Sequence, residues 1–127
     1  MMVDEITHKI IGCSMKVHNT FGNGFHELIY QRSLEIELQN AALAFESELE
    51  MPIMYDTTQI GVRRIDLIVE GLILVELKAI EKLDPYHKAQ TINHCEAFHI
   101  PDGLLINFGG LSLEFNRVHN KKAVTIN

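Results

Sequence analysis

The chain has no apolar run approaching the roughly 20 residues that a membrane-spanning helix needs. Its first ten residues, MMVDEITHKI, also lack the apolar stretch of a signal peptide. The expectation is a cytoplasmic protein with no membrane partner. Cysteine is scarce: Cys13 and Cys95 stand far apart with no CxxC pairing, which predicts free thiols in a reducing compartment. No internal repeat, low-complexity tract or linker divides the 127 residues, so residues 1–127 are read as one domain.

An excess of positive charge is missing too. The formal net charge is −6, with 11 Lys and Arg against 17 Asp and Glu. That balance argues against a chromatin-type or purely electrostatic nucleic-acid binder. It leaves a nuclease open, because a metal site needs carboxylates of its own. Hydrophobic content of 46% with 22% charged residues is ordinary for a globular chain.

Ile6, Ile10, Cys13 and Val17 recur at helical steps and predict a first amphipathic helix over 3–20. The glycines of "FGNG" interrupt it, and a second helix follows over about 25–41. On that helix Glu27, Tyr30, Leu34, Leu38 and Ala41 share one face, which is apolar except for the carboxylate at its start. "FESELEMPIMY" reads as a strand, at an edge or with a bulge because of Pro52. "GVRRIDLIVEGLILVELKAI" reads as two strands around Glu70-Gly71, apolar on both faces and hence central in a covered sheet. Asp84 and Pro85 open a third helix, Pro101 lies beyond its end, and "GLLINF" and "LSLEFNRV" complete the order ααβββαββ. The fold class is α+β, three-layer α/β/α-like, with helices on a central mixed sheet.

Three charged residues interrupt the central strands: Asp66, Glu76 and Lys78. An uncompensated charge there costs roughly 3–5 kcal/mol, so these groups pair with one another or hold a metal. Glu76 and Lys78, two apart, point to one face. A two-residue loop at Glu70-Gly71 sets Asp66 on the opposite face. A three-residue loop, Val69-Glu70-Gly71, sets Asp66 across from Leu74 and on the same face as Glu76 and Lys78. The three-residue loop is the expectation. Oxygen ligands of this kind suit Mg²⁺ or Mn²⁺, with Lys78 orienting the attacking water or stabilising charge on a phosphate. The competing reading is an internal ion pair between Lys78 and the two acids. Zinc lacks support, since Cys95 and His99 have no second pair at ligand spacing. Cys95 is read instead as a core residue, and His18 as a packing or helix-end residue.

"RIDLIVEGLILVELKA" resembles the D-x(n)-E-x-K signature of the PD-(D/E)XK nuclease superfamily, with Ile65-Asp66 in place of Pro-Asp. "GFHELIY" (Gly24, Glu27, Tyr30), together with "VHNTFGNG", Gln90 and "LLINFGG", resembles the bacterial GxxExxY family within it. The resemblance implies a restriction-endonuclease-like core and a hydrolase acting on phosphodiester bonds of DNA. Under it Asp66, Glu76 and the main-chain carbonyl of Leu77 would bind the metal, and Lys78 would be the catalytic lysine. Lambda-type exonucleases and RecB-like nucleases add a helix glutamate, which Glu27 matches, and a QxxxY pair, which Gln90 matches with His94 at the Tyr position. Tyr30, His94, Arg64, Lys82 and Lys88 form the candidate substrate-contacting set, with Tyr30 also suited to the core and Arg63 beside Arg64. A catalytically weak nuclease-fold binding or regulatory protein is the alternative, and homo-oligomerisation stays open.

Overall fold

The computed structural model describes residues 2–124. Its elements are α1 (Val3–Phe21), α2 (Glu27–Asn40), β1 (Phe45–Tyr55), β2 (Thr58–Val69), β3 (Ile73–Lys78), α3 (Pro85–Phe98), β4 (Asp102–Asn107), β5 (Glu114–His119) and a short α4 (Lys121–Val124). The expected order ααβββαββ is the observed one, with only the one-turn α4 added at the end. The strands form one mixed sheet in sequence order, β1 to β5. Neighbours are antiparallel except β3 and β4, which run parallel with α3 as the crossover between them. β1 is an edge strand with a register shift after Ile53, as Pro52 foretold.

Two apolar layers hold the sheet between helices. On one face Ile6, Ile10 and Val17 of α1 and Tyr30, Leu34 and Leu38 of α2 pack on Leu67, Val69, Val75, Leu77, Leu104 and Ile106. On the other, Cys95 and Ile92 of α3 pack on Ile65, Ile68, Leu74 and Val118. Coverage on both faces is why consecutive residues are apolar in these strands: Ile73, Leu74 and Val75 in β3, and Leu104, Leu105 and Ile106 in β4. Both cysteines are free; Cys95 is buried and Cys13 half-buried. Burial pushes the Cys95 thiol up to about 12, so it is a core residue rather than a ligand.

Local chemistry sets the ends of the helices. Gly22 and Gly24 take φ of +66° and +110°, which L residues rarely adopt, and these angles turn the chain from α1 into α2. The Asp84 side chain accepts hydrogen bonds from the backbone N–H groups of Tyr86 and His87. His87 Nδ1 accepts in return from the N–H of Asp84, which completes a capping box at the start of α3. At the other end of α3 His99, not glycine, takes the left-handed C-cap at φ +56°.

The central hairpin differs from expectation. Its register is Val69↔Ile73, Ile68↔Leu74 and Leu67↔Val75, with Glu70, Gly71 and Leu72 in the loop. Glu70 and Gly71 both take positive φ, +54° and +66°, and the Leu72 N–H donates to the Val69 carbonyl at 3.0 Å. Glu70 tolerates that angle because Ala44 holds it. Its backbone N–H donates to the Ala44 carbonyl, and its carboxylate accepts from the Ala44 N–H. The loop is therefore 70–72 rather than 69–71, and Leu74 faces Ile68 rather than Asp66.

Candidate active site

Asp66 sits where the pleat of β2 breaks. The β1–β2 ladder passes from Ser47↔Leu67 to Leu49↔Ile65, skipping Glu48 and Asp66, and Glu48 takes φ +54°. Ile65 and Ile68 both pack on the α3 side, although residues three apart on a regular strand face opposite ways. Asp66 lies in the half-twist between them. Its carboxylate leaves the pleat and accepts the Leu77 N–H at 2.7 Å, just past the last β2–β3 pair. The N–H and C=O of a strand residue point to the same side, so the Leu77 carbonyl is turned towards Asp66 as well. Asp66 and Glu76 thus meet at the end of the ladder by a different route from the one the spacing suggested.

Glu76 is buried at the end of β3 and pairs with the buried His94 of α3, through Nδ1 and Oε1. Lys78, two residues on, is half-buried. Among the described residues no ion pair joins Lys78 to Asp66 or Glu76, so the internal Lys78 pair is not what compensates these acids. His94, a candidate substrate contact, is held against Glu76 at the inner end of this site.

Burial pushes the Asp66 carboxyl up from 3.8 to about 6. The Leu77 N–H opposes that rise, the negative charges of Glu76 and then Glu27 add to it, and Lys78 offsets part. Glu27, the first residue of α2 and exposed, therefore stands close enough for its charge to be felt at Asp66. The Asp66 carboxylate thus stands where the charges of Glu76 and Glu27 already make further negative charge unfavourable, an environment that a divalent cation would relieve. Among the described residues no three His, Cys, Asp or Glu side chains form a ready-made metal cage. The donors suit a hard ion held by two carboxylates and a carbonyl that keeps several waters, not a fully caged one.

The chain matches the family model of the PD-(D/E)XK nuclease superfamily over residues 4–118. That span covers both helices, the central hairpin, α3 and most of β5. The chain belongs to the PD-(D/E)XK nuclease superfamily. Helices α1, α2 and α3 on the five-stranded mixed sheet are the restriction-endonuclease-like core of that superfamily. No curated protein and no solved structure matches the chain. PD-(D/E)XK nucleases typically use divalent metal ions, and the donor set described here fits one.

The structure sorts the other sequence candidates. Tyr30 is fully buried, stacked on Phe108 with ring centres 4.7 Å apart. Its hydroxyl donates to the Gly22 carbonyl at 2.7 Å and accepts from the Phe25 N–H at 3.2 Å. This corrects its place in the substrate-contacting set: Tyr30 ties down the glycine turn that starts α2 and so places Glu27. Arg64 points away from the α3 side and pairs with Glu48, which also binds Arg32 of α2. Lys88 lies on the far side of α3 from Gln90 and His94, beside Asp84 and Glu114. Lys82 is exposed in the β3–α3 loop. Arg63, Gln90 and His94 share one groove. His18 is buried with its Nε2 3.0 Å from the Gly110 carbonyl, a packing role.

Sequence reasoning missed Asn107 and Glu114. Asn107 is fully buried beside Lys78 in the β3–β4 register. Its side chain accepts from the N–H groups of Ile80 and Gly109 and donates to the Ile80 carbonyl and to Glu114. Glu114 also accepts the Leu83 N–H, so the pair clasps the loop between Lys78 and α3. Gly109 completes the clasp, because a Cβ there would stand 2.1 Å from the Ile80 carbonyl oxygen. The signal available was an Asn at the end of an otherwise apolar strand, followed by two glycines.

Proposed function

We propose that the protein is a nuclease of the GxxExxY type that hydrolyses phosphodiester bonds in DNA with Mg²⁺ or Mn²⁺. The observation that carries the reading is the meeting of Asp66 and Glu76 at the end of the β2–β3 ladder, next to Lys78, in a PD-(D/E)XK chain. Asp66, Glu76 and the Leu77 carbonyl would hold the ion, with Glu27 reaching it directly or through water. When bound, the ion supplies positive charge for the phosphate oxygens in the transition state. Lys78 orients the attacking water and stabilises charge gathering on the phosphate. Gln90 supports the scissile phosphate from α3, and His94 keeps Glu76 aimed at the site.

Lys78→Ala should abolish cleavage of DNA in Mg²⁺ or Mn²⁺ while leaving the circular dichroism spectrum unchanged. Equal turnover in wild type and variant would overturn the mechanism. One observation favours a second reading, a nuclease-fold binding protein with little catalysis: Glu76 is already occupied by His94. Calorimetric titration separates the two. Mg²⁺ or Mn²⁺ binding that Asp66→Ala abolishes supports the nuclease, and no binding in either protein supports the second reading.

A further inference from the structure

A groove of about 390 Å³ runs between α3 and the β1–β2 hairpin. Ile53 and Ala89 give it an apolar floor, and Gln90 and Asn93 bring amides to its side. Tyr86, 69% exposed, stands at its mouth. Arg63 reaches across from β2 to the Asn93 carbonyl at 3.5 Å. At the inner end lies His94, the residue that binds Glu76. The groove thus ends at the side chain that pairs with Glu76.

We propose that this groove seats one unpaired nucleobase next to the scissile phosphate, so that the substrate is single-stranded or frayed nucleic acid rather than intact duplex. The proposal rests on the nuclease reading above. Its volume admits a base and sugar but not a double helix. An exposed phenol ring stacks on a base only when the face of that base is free, and pairing and stacking in a duplex hide that face. The Asn93 amide suits the hydrogen-bonding edge of an unpaired base. Duplex binding without sequence contacts needs many phosphate contacts from a basic surface. Here Arg63 is the one Lys or Arg among the residues lining the groove, Arg64 is paired with Glu48, and Lys88 faces the other way.

The test uses the full chain carrying Lys78→Ala in Mg²⁺, which keeps the nucleic acid uncut. Anisotropy compares a labelled single-stranded DNA oligonucleotide with the blunt duplex of the same sequence. The expected result is tighter binding of the single strand, weakened roughly tenfold by adding Tyr86→Ala and restored by Tyr86→Phe. Because Tyr86 is exposed, the substitution leaves the fold intact, which circular dichroism checks. Equal affinity for both DNAs, or no effect of Tyr86→Ala on single-strand binding, overturns the groove proposal and leaves the nuclease reading standing. No binding of either DNA by any of these proteins overturns both.

Discussion

Asp66→Asn should make the metal-free protein more stable at neutral pH. The Asp66 carboxyl is pushed from 3.8 up to about 6, chiefly by burial. At about 1.4 kcal/mol for each tenfold change in proton affinity, that rise amounts to about 3 kcal/mol of strain in the ionised folded state. Two effects reduce what the amide recovers. Asp66 is only half-buried, so solvent screens part of the penalty. The amide oxygen also accepts the Leu77 N–H less strongly than a carboxylate does, a loss of about 1 kcal/mol. The net gain should be about 1–2 kcal/mol. Its sign with pH follows from a raised folded pKa. The folded state holds the proton more tightly than the unfolded one, so the penalty is absent below 3.8, grows as pH rises through about 6 and is complete above that. Urea denaturation in chelator should therefore show Asp66→Asn more stable than wild type near pH 7.5, with the gap closing towards pH 4. Added Mg²⁺ should stabilise wild type and not the variant, because only the carboxylate form binds it. A gap that does not vary with pH, or a less stable variant at pH 7.5, would show that burial does not penalise the ionised Asp66 carboxylate.

Two further expectations come from residues around the site. Asn107→Ala leaves the Ile80 and Gly109 N–H groups without their acceptor and should cost about 2–4 kcal/mol, read as an earlier urea midpoint at unchanged slope. A loss under about 0.5 kcal/mol would show that water replaces the clasp. Tyr30→Phe keeps the stack on Phe108 but drops the bond to the Gly22 carbonyl. It should cost about 1–2 kcal/mol and leave the affinity for DNA within about twofold, whereas a direct substrate contact would make binding the larger loss.

Sequence reading was strongest where periodicity and end signals act locally. The stripes of α1 and α2, Asp84 with Pro85 at the start of α3, and doubly apolar β3 all express interactions within a few residues, or burial that every residue of a segment shares. It was weaker where a side chain's partner is distant in the chain. Arg64, Lys82 and Lys88 looked alike as cations beside a hairpin, and only packing separates them. Tyr30 carried the motif but is held by a turn and a phenyl ring it meets only in the folded protein.

By itself, then, the sequence determined that Asp66, Glu76 and Lys78 must be accommodated together near the middle of a covered sheet. Charges in apolar strands are too unfavourable to stand there without a partner or an ion. Tertiary structure decided how they meet. Ala44 holds Glu70 at positive φ and so sets the hairpin register, and a broken pleat opposite Glu48 turns the Asp66 carboxylate to Leu77. The Glu27 carboxylate, out of place on an apolar helix face, stands within electrostatic reach of Asp66 because Tyr30 ties down the glycine turn before α2. Each of these depends on a specific contact between different elements or turns, from eight residues apart for Tyr30 and Gly22 to 26 apart for Ala44 and Glu70, which hydrophobic periodicity does not record.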